Sequence, residues 1–333
     1  MEHAEDIVEV RGLVRQFGDF IAVDSIDFDV RRGEILGFLG PNGAGKSTTI
    51  SMLATVLKTT AGRIDIAGLD ARHDALAIRR IIGLVPQTLT ADDTFTGREN
   101  LLMHADMYGV PRTVAQPRIS ELLAVVGLTE AADRAVKTYS GGMRKRLELI
   151  AGLIHRPQIL ILDEPTLGLD IHTRTAIWDY ITRLKRELGM TVFLTTHYLE
   201  EAEFLCDRII ILDHGKIIAE GTPEQLKRKA GTVAVEITFT DRCDRRTELT
   251  ALPGVDAVHS DYGAARLETP DPEALMQTLI SAAAVRHWPV ASVCIRESNL
   301  NDVFLRLVDS QQDMDGGSYD LKMNTIQNRK RSA

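Results

Sequence analysis

Residues 35–48 read Ile-Leu-Gly-Phe-Leu-Gly-Pro-Asn-Gly-Ala-Gly-Lys-Ser-Thr, and this stretch decides the fold. Ile35 to Leu39 is a continuous apolar run of strand length, as expected of a strand buried on both faces. Gly40-Pro41-Asn42-Gly43-Ala44-Gly45-Lys46-Ser47 then completes a GxxxxGK[ST] pattern, with a predicted helix from about Gly45. Glycines let the backbone wrap closely around phosphates so that amide hydrogens face the oxygens. The helix amino terminus adds positive potential. Lys46 is expected to reach the β and γ phosphates, and Ser47 to hold Mg2+. A strand, a phosphate loop and a helix in this order predict an α/β nucleotide-binding core.

Moving outward, Ile159-Leu-Ile-Leu-Asp163-Glu164-Pro165 reads as a second buried strand that delivers two carboxylates at its carboxyl end. Open α/β sheets place their ligands there. Asp163 is the candidate for Mg2+ and Glu164 for orienting and activating water. Further strand-like runs at Val192 to Thr195 and Ile209 to Leu212, separated by helical stretches, indicate βαβ units and a parallel core. Ahead of the loop, Ile7, Val8, Val10, Ile26, Phe28 and Val30 alternate with polar residues, as in half-buried antiparallel strands. Between Gln87 and Tyr139 helical periodicity takes over, in Leu101, Leu102, Ala105, Tyr108 and again in Ile119, Leu122, Leu123, Val126.

Past Gly231 the alternation restarts at Val233, Val235, Ile237 and Phe239. A helix at about 272–286, a strand through 290–295 and a final helix from Leu300 follow. The expected organisation is a nucleotide-binding domain at 1–229 with a helical insertion at about 88–158. A small α+β domain at 230–310 comes next. Residues 311–333, rich in Gln, Asn, Gly and Lys, are expected to form a solvated tail, because such a composition buries no core.

The formal net charge of -8 argues against broad nucleic-acid contact, which needs a basic face. The acidic start MEHAEDIVEV lacks the basic-then-apolar pattern of a signal peptide. No uninterrupted apolar run approaches the roughly 18 residues that a membrane-spanning helix needs. Cys206, Cys243 and Cys294 form no pair at metal or disulfide spacing, so reduced thiols are expected.

A phosphate loop alone leaves kinase, GTPase, AAA-type and ABC readings open. Ser140-Gly141-Gly142 discriminates among them: a small-residue turn at a helix amino terminus is a second anion-binding device, and one active site does not need two. With these motifs in this order, residues 7–225 resemble the ABC ATPase family. The resemblance implies a RecA-like α/β core, an antiparallel β subdomain and a helical subdomain. It makes Gly40 to Thr48 the Walker A loop, Phe17 the aromatic that stacks on adenine, and Gln87 the glutamine that senses Mg2+. Ser140 to Gly142 become the signature motif, Asp163 the Mg2+ aspartate, Glu164 the catalytic base, Asp170 the D-loop aspartate and His197 the switch histidine. Two departures stand out: Met143 follows the signature glycines where glutamine is usual, and Tyr139 replaces a leucine. The D-loop, Leu167-Gly168-Leu169-Asp170, is a mild variant, and no arginine finger is evident.

The family mechanism implies a head-to-tail pair of cassettes, each ATP held between one Walker A loop and the other's signature motif. The run Tyr139 to Leu147, the closing Leu300-Asn-Asp-Val-Phe304-Leu segment and the extra carboxyl-terminal domain resemble the ATP-binding subunits of ABC-2 type exporters, daunorubicin-resistance subgroup. That resemblance implies efflux of a drug, antibiotic, lipid or polysaccharide through a separate membrane permease. It implies a second ATP-binding subunit, a peripheral seat on the cytoplasmic face of the membrane, and no nucleic-acid partner. The helical region around Thr96 to Tyr108 is the expected permease grip, against the alternative of an internal bundle. A soluble ABC ATPase acting on ribosomes, DNA or an assembly complex is the competing reading. A GTPase is disfavoured by the lack of an NKxD guanine-reading motif.

Overall fold

Β-strands β1 (Asp6–Phe17), β2 (Phe20–Arg31) and β3 (Ile35–Leu39) lead into helix α1 (Lys46–Leu53). β4 (Ala61–Ile66), β5 (Leu69–Asp70), α2 (Ala75–Ile81) and β6 (Ile82–Val85) follow. Three helices then succeed one another, α3 (Gly97–Met107), α4 (Arg112–Val125) and α5 (Gly141–Ala151). β7 (Ile159–Asp163), α6 (Ile171–Leu188), β8 (Thr191–Thr196), α7 (Leu199–Leu205), β9 (Arg208–Asp213) and β10 (Lys216–Gly221) come next. This computed structural model describes residues 6–229 and 233–304 apart from 242, 262, 297–299 and 302. The chain divides into two compact units, Met1–Pro223 and Glu224–Ala333.

The first unit is built on a six-stranded sheet of order β10-β9-β3-β8-β7-β6. The four pairings from β9 to β6 are all parallel, and β10 closes one edge antiparallel to β9. Every residue of β3, β8 and β9 is buried, the signature of a parallel sheet covered on both faces. β3 lies between β8 and β9, so its carboxyl end opens at the place where strand order reverses and where such sheets bind ligands.

A second sheet, β2-β1-β4-β5, is antiparallel throughout. Val8, Val10, Leu13, Ile26, Phe28 and Val30 pack from it into the same core as Phe38, Phe193 and Ile210 of the six-stranded sheet. Phe38 is the hub, its ring 4.9 Å from that of Phe28 and 4.8 Å from that of Phe193. α3, α4 and α5 bury a core of their own, including Leu101, Ala105, Ile119, Leu123, Leu147 and Ile150. A capping box starts α3: Thr96 Oγ1 accepts from the Glu99 amide, and the Glu99 carboxylate accepts from the Thr96 amide. The expected α/β cassette, with antiparallel and helical parts, is therefore what the chain forms.

α8 (Pro223–Lys229) starts on the last residue of the first unit, and the second unit goes on through β11 (Val233–Phe239), α9 (Arg246–Thr250), β12 (Ala257–Asp261), β13 (Ala264–Thr269), α10 (Pro272–Val285) and β14 (Val290–Arg296). The sheet runs β12-β13-β11-β14, all antiparallel. Alternate residues of β11, Val235, Ile237 and Phe239, meet Leu249, Leu267, Leu275 and Leu279 in its core. The expected seam at Gly231 and the tail at 311–333 lie outside the described residues. No helix among the described residues is long and apolar enough to cross a membrane.

Candidate functional site

The phosphate loop leaves β3 and enters α1 through Gly45, whose φ of 101° belongs to the left-handed region. A Cβ there would stand 2.5 Å from the Ala22 carbonyl oxygen, so both backbone shape and space require glycine. Lys46, 5% exposed, folds under the loop and donates to the carbonyls of Gly40 (2.8 Å) and Pro41 (3.0 Å). Its ammonium lies 3.9 Å from Glu164 Oε1. Burial pushes the Lys46 pKa down, while the negative charges of Glu164 and then Asp163 pull it back up.

Beside the loop, β7 ends in Asp163 and the chain turns at Glu164, a non-glycine residue with φ 47°. The turn is held by Thr195 of β8: the Glu164 amide donates to the Thr195 carbonyl (3.1 Å) and to its hydroxyl (3.2 Å). Thr195 Oγ1 in turn donates to Asp163 Oδ1 at 2.6 Å. Ser47 Oγ donates to the same oxygen at 3.2 Å, joining the loop to the carboxylate strand. Glu164 is 7% exposed and receives two further groups. Gln87 Nε2 donates to its Oε2 at 3.4 Å, and His197 Nδ1 stands 3.3 Å from its Oε1. The His197 approach is within ion-pair range but not aligned as a hydrogen bond, for Nδ1 has no hydrogen-bond partner.

Phe17 and Phe20 flank the hairpin turn between β1 and β2 and are 45% and 63% exposed. Both line a cleft of about 440 Å³ together with Asn42, Gly43, Gly45, Lys46, Ser47, Thr48, Gln87 and Glu164. The Arg15 guanidinium lies over the Phe17 ring, 4.3 Å from its centroid. One apolar aromatic end and one phosphate-loop end make this a fitting cleft for a nucleotide.

Ser140, Gly141, Gly142 and Asp170 belong to a separate cluster. Ser140 caps α5, its Oγ accepting from the Met143 amide at 3.3 Å. Asp170 caps α6 and accepts from the Thr173 amide (3.0 Å) and hydroxyl (2.7 Å). These bonds hold the Asp170 carboxyl below the usual carboxylate range. A Cβ on Gly142 would meet Thr173 Cγ2 at 2.4 Å, so the two caps pack directly together. Met143 is half-buried against the helical core, and Tyr139, also in that core, donates from its hydroxyl to the Ala131 carbonyl at 2.6 Å. The two departures in the signature motif thus serve packing of α5.

Sequence reasoning missed Thr195 and Phe20. Thr195 had a signal, a hydroxyl in an otherwise apolar buried strand two residues before His197. Its partner became visible only once β7 and β8 were neighbours, with Asp163 opposite Thr195. Phe20 had none beyond its position across the turn from Phe17.

Residues 23–167 match the family model described as ABC transporter, and residues 221–308 match the C-terminal domain of the ATP-binding protein DrrA1-3-like family. The chain is 41% identical over 311 residues to the daunorubicin/doxorubicin resistance ATP-binding protein DrrA of Streptomyces peucetius, covering 92% of this chain and 93% of that one. It is 38% identical over 315 residues to the doxorubicin resistance ATP-binding protein DrrA of Mycobacterium tuberculosis, covering 92% and 95%. Among solved structures, an ATP-binding subunit of an ABC transporter superposes with TM-score 0.61 at 30% identity, over 67% of this chain and 92% of that one. A dimeric ATP-binding cassette in a post-hydrolysis state, bound to ADP and Pi, matches with TM-score 0.58 at 26% identity, over 65% and 98%.

Proposed function

Because the chain belongs to the ABC transporter ATP-binding family, in the subgroup that carries a DrrA-like C-terminal domain, we propose that it is the ATP-hydrolysing motor of an ABC-2 type exporter. The observation that carries this reading is the span of the likeness: it runs through both the cassette and the C-terminal domain of proteins named for drug resistance. A soluble ABC ATPase has no comparable support. The cargo class proposed is a drug, antibiotic, lipid or polysaccharide.

In this reading the adenine stacks on Phe17, beside Phe20, and the phosphates lie along the loop amides of Gly40 to Thr48. Lys46, now donating to two loop carbonyls, turns its ammonium to the β and γ phosphates. Ser47 Oγ and Asp163 Oδ1, 3.2 Å apart, are two hard oxygen donors of the kind Mg2+ takes while sharing its shell with phosphates. They would hold that ion, which when bound would offset the charge on the phosphates. Glu164, held in its turn by Thr195, orients the attacking water and accepts its proton. Gln87 and His197 touch the two oxygens of that carboxylate and set its direction. His197 also holds the γ phosphate. Phosphoryl transfer is chiefly positioning and charge stabilisation, so such contacts are where catalysis is supplied.

Ser140 to Gly142 and the Asp170 cap are proposed to complete the site of a second cassette, head to tail, in a homodimer or a pair with a related subunit. A groove of about 880 Å³ in the first unit is the proposed permease seat, lined by Val56, Leu76, Arg79, Arg80, Met107 and Tyr108. Leu76 and Met107 are each 74% exposed, which suits an apolar segment of a membrane protein. The protein would then sit at the cytoplasmic face of the membrane. Affinity isolation of the tagged protein from membranes in mild detergent tests this: an integral-membrane ABC-2 permease should co-purify. Recovery with ribosomes or an assembly complex and no permease would contradict the exporter reading.

A further inference from the structure

α5 begins at the Ser140 cap, and two charged side chains farther along it have no part in the site described above. Lys145 and Glu148 are 6% and 4% exposed and, three residues apart, lie on the same side of the helix. Burial pushes the Lys145 pKa down, countered by the charge of Glu148 and then of Asp163 and Glu201. Lys145 Nζ donates to the Pro86 carbonyl at 3.2 Å. Glu148 Oε1 accepts from the amides of Thr90 and Ala91, both at 2.6 Å. The Thr90 hydroxyl donates to Glu148 Oε2 at 2.9 Å. A buried carboxylate with these donors is fully engaged, and charge-assisted bonds of this kind are the strong ones.

The two residues therefore hold one short segment at both of its ends, Pro86 and Thr90–Ala91. Between those anchors stands Gln87, whose amide reaches Glu164. α5 also carries Ser140 to Gly142 at its start, so the helix that presents the signature turn also grips the loop that touches the proposed base. We propose that Lys145 and Glu148 are positioning residues for hydrolysis, a two-point clamp through which the orientation of α5 sets the reach of Gln87 toward Glu164. This rests on Glu164 being the base, as proposed above.

The test is steady-state ATPase kinetics of the full chain, native and variant. Glu148→Ala should lower kcat about tenfold, because misplacing a catalytic contact is costly, while KM for ATP stays within about twofold. Glu148→Gln keeps the acceptor for both amides and should retain most of the native kcat. In a Gln87→Ala background, Glu148→Ala should cause no further loss, since residues acting through one another are not additive. Lys145→Met should lower kcat in the same way and supplies the readout if Glu148→Ala does not fold. Amide exchange at Thr90 and Ala91 should quicken in Glu148→Ala at unchanged thermal midpoint of the rest of the unit. An active native chain with an equally active Glu148→Ala, or losses that add in full to those of Gln87→Ala, overturns the clamp alone. A native chain that turns over no ATP overturns the functional reading, and the clamp with it.

Discussion

Ser47 and Asp163, 116 residues apart in the chain, are joined by a 3.2 Å hydrogen bond from Ser47 Oγ to Asp163 Oδ1. That bond closes the gap between the end of β3 and the end of β7, strands separated in the sheet by β8. Thr195, on the strand between them, completes the bridge by donating to the same oxygen. The sheet order, not the sequence order, thus assembles the oxygen pair proposed for Mg2+.

Removing the hydroxyl should weaken the hold on the ion without unfolding the loop, because α1 is set by Gly45 and by packing below it. Ser47→Ala is expected to raise the Mg2+ concentration for half-maximal ATPase activity about tenfold or more, the scale on which metal sites respond to loss of a supporting oxygen. A Mg2+ titration at saturating ATP checks this, and an unchanged midpoint would remove Ser47 from the ion.

Gly142 touches Thr173 with no room for a side chain. Gly142→Ala should destabilise the first unit by about 1–3 kcal/mol, the usual penalty for forcing a methyl into a packed contact. Thr173→Ser in the same chain removes the clashing methyl and keeps the hydroxyl that bonds Asp170, so the double variant should recover most of the loss. Denaturant unfolding midpoints of the two variants provide the comparison, and equal destabilisation in both would mean that the contact is not the cause.

Asp170 caps α6 as a carboxylate, and its folded pKa lies below the ordinary value of 3.8. A depressed carboxyl pKa adds stability that is fully present above the unfolded value and is lost as pH falls through the folded one. Asp170→Ala should therefore lower the Tm at neutral pH, and the gap from the native protein should shrink on acidification below about pH 4. Thermal scans from pH 7 to pH 3 measure it. A gap that is constant with pH would assign the loss to the backbone rather than to the charged cap.

The elements with one-dimensional signals were legible in the sequence: the β3–loop–α1 unit, the apolar strand ending in Asp163, and the alternating Val235, Ile237 and Phe239 of β11. Local periodicity reports these because each residue's burial follows from its place in its own element. Strand neighbours are different. That Asp163 lies opposite Thr195 depends on β7 pairing with β8, which no spacing within either strand encodes. The edge strand β10 and the two-residue β5 carried too little apolar pattern to be read. Lys145 and Glu148 carry charge yet both are buried, because their partners are backbone groups of a loop some 57 to 59 residues earlier. Backbone donors and acceptors leave no trace in residue identity.

This cleft is proposed to hydrolyse ATP with Glu164 as the base. The most direct test is phosphate release by the native chain and by Glu164→Gln, with retained nucleotide measured on the same samples. Turnover should be at least about 10²-fold slower in the variant, the scale of a lost general base, with ATP held unhydrolysed in a stabilised dimer. Phosphate release by Glu164→Gln at the native rate would contradict it.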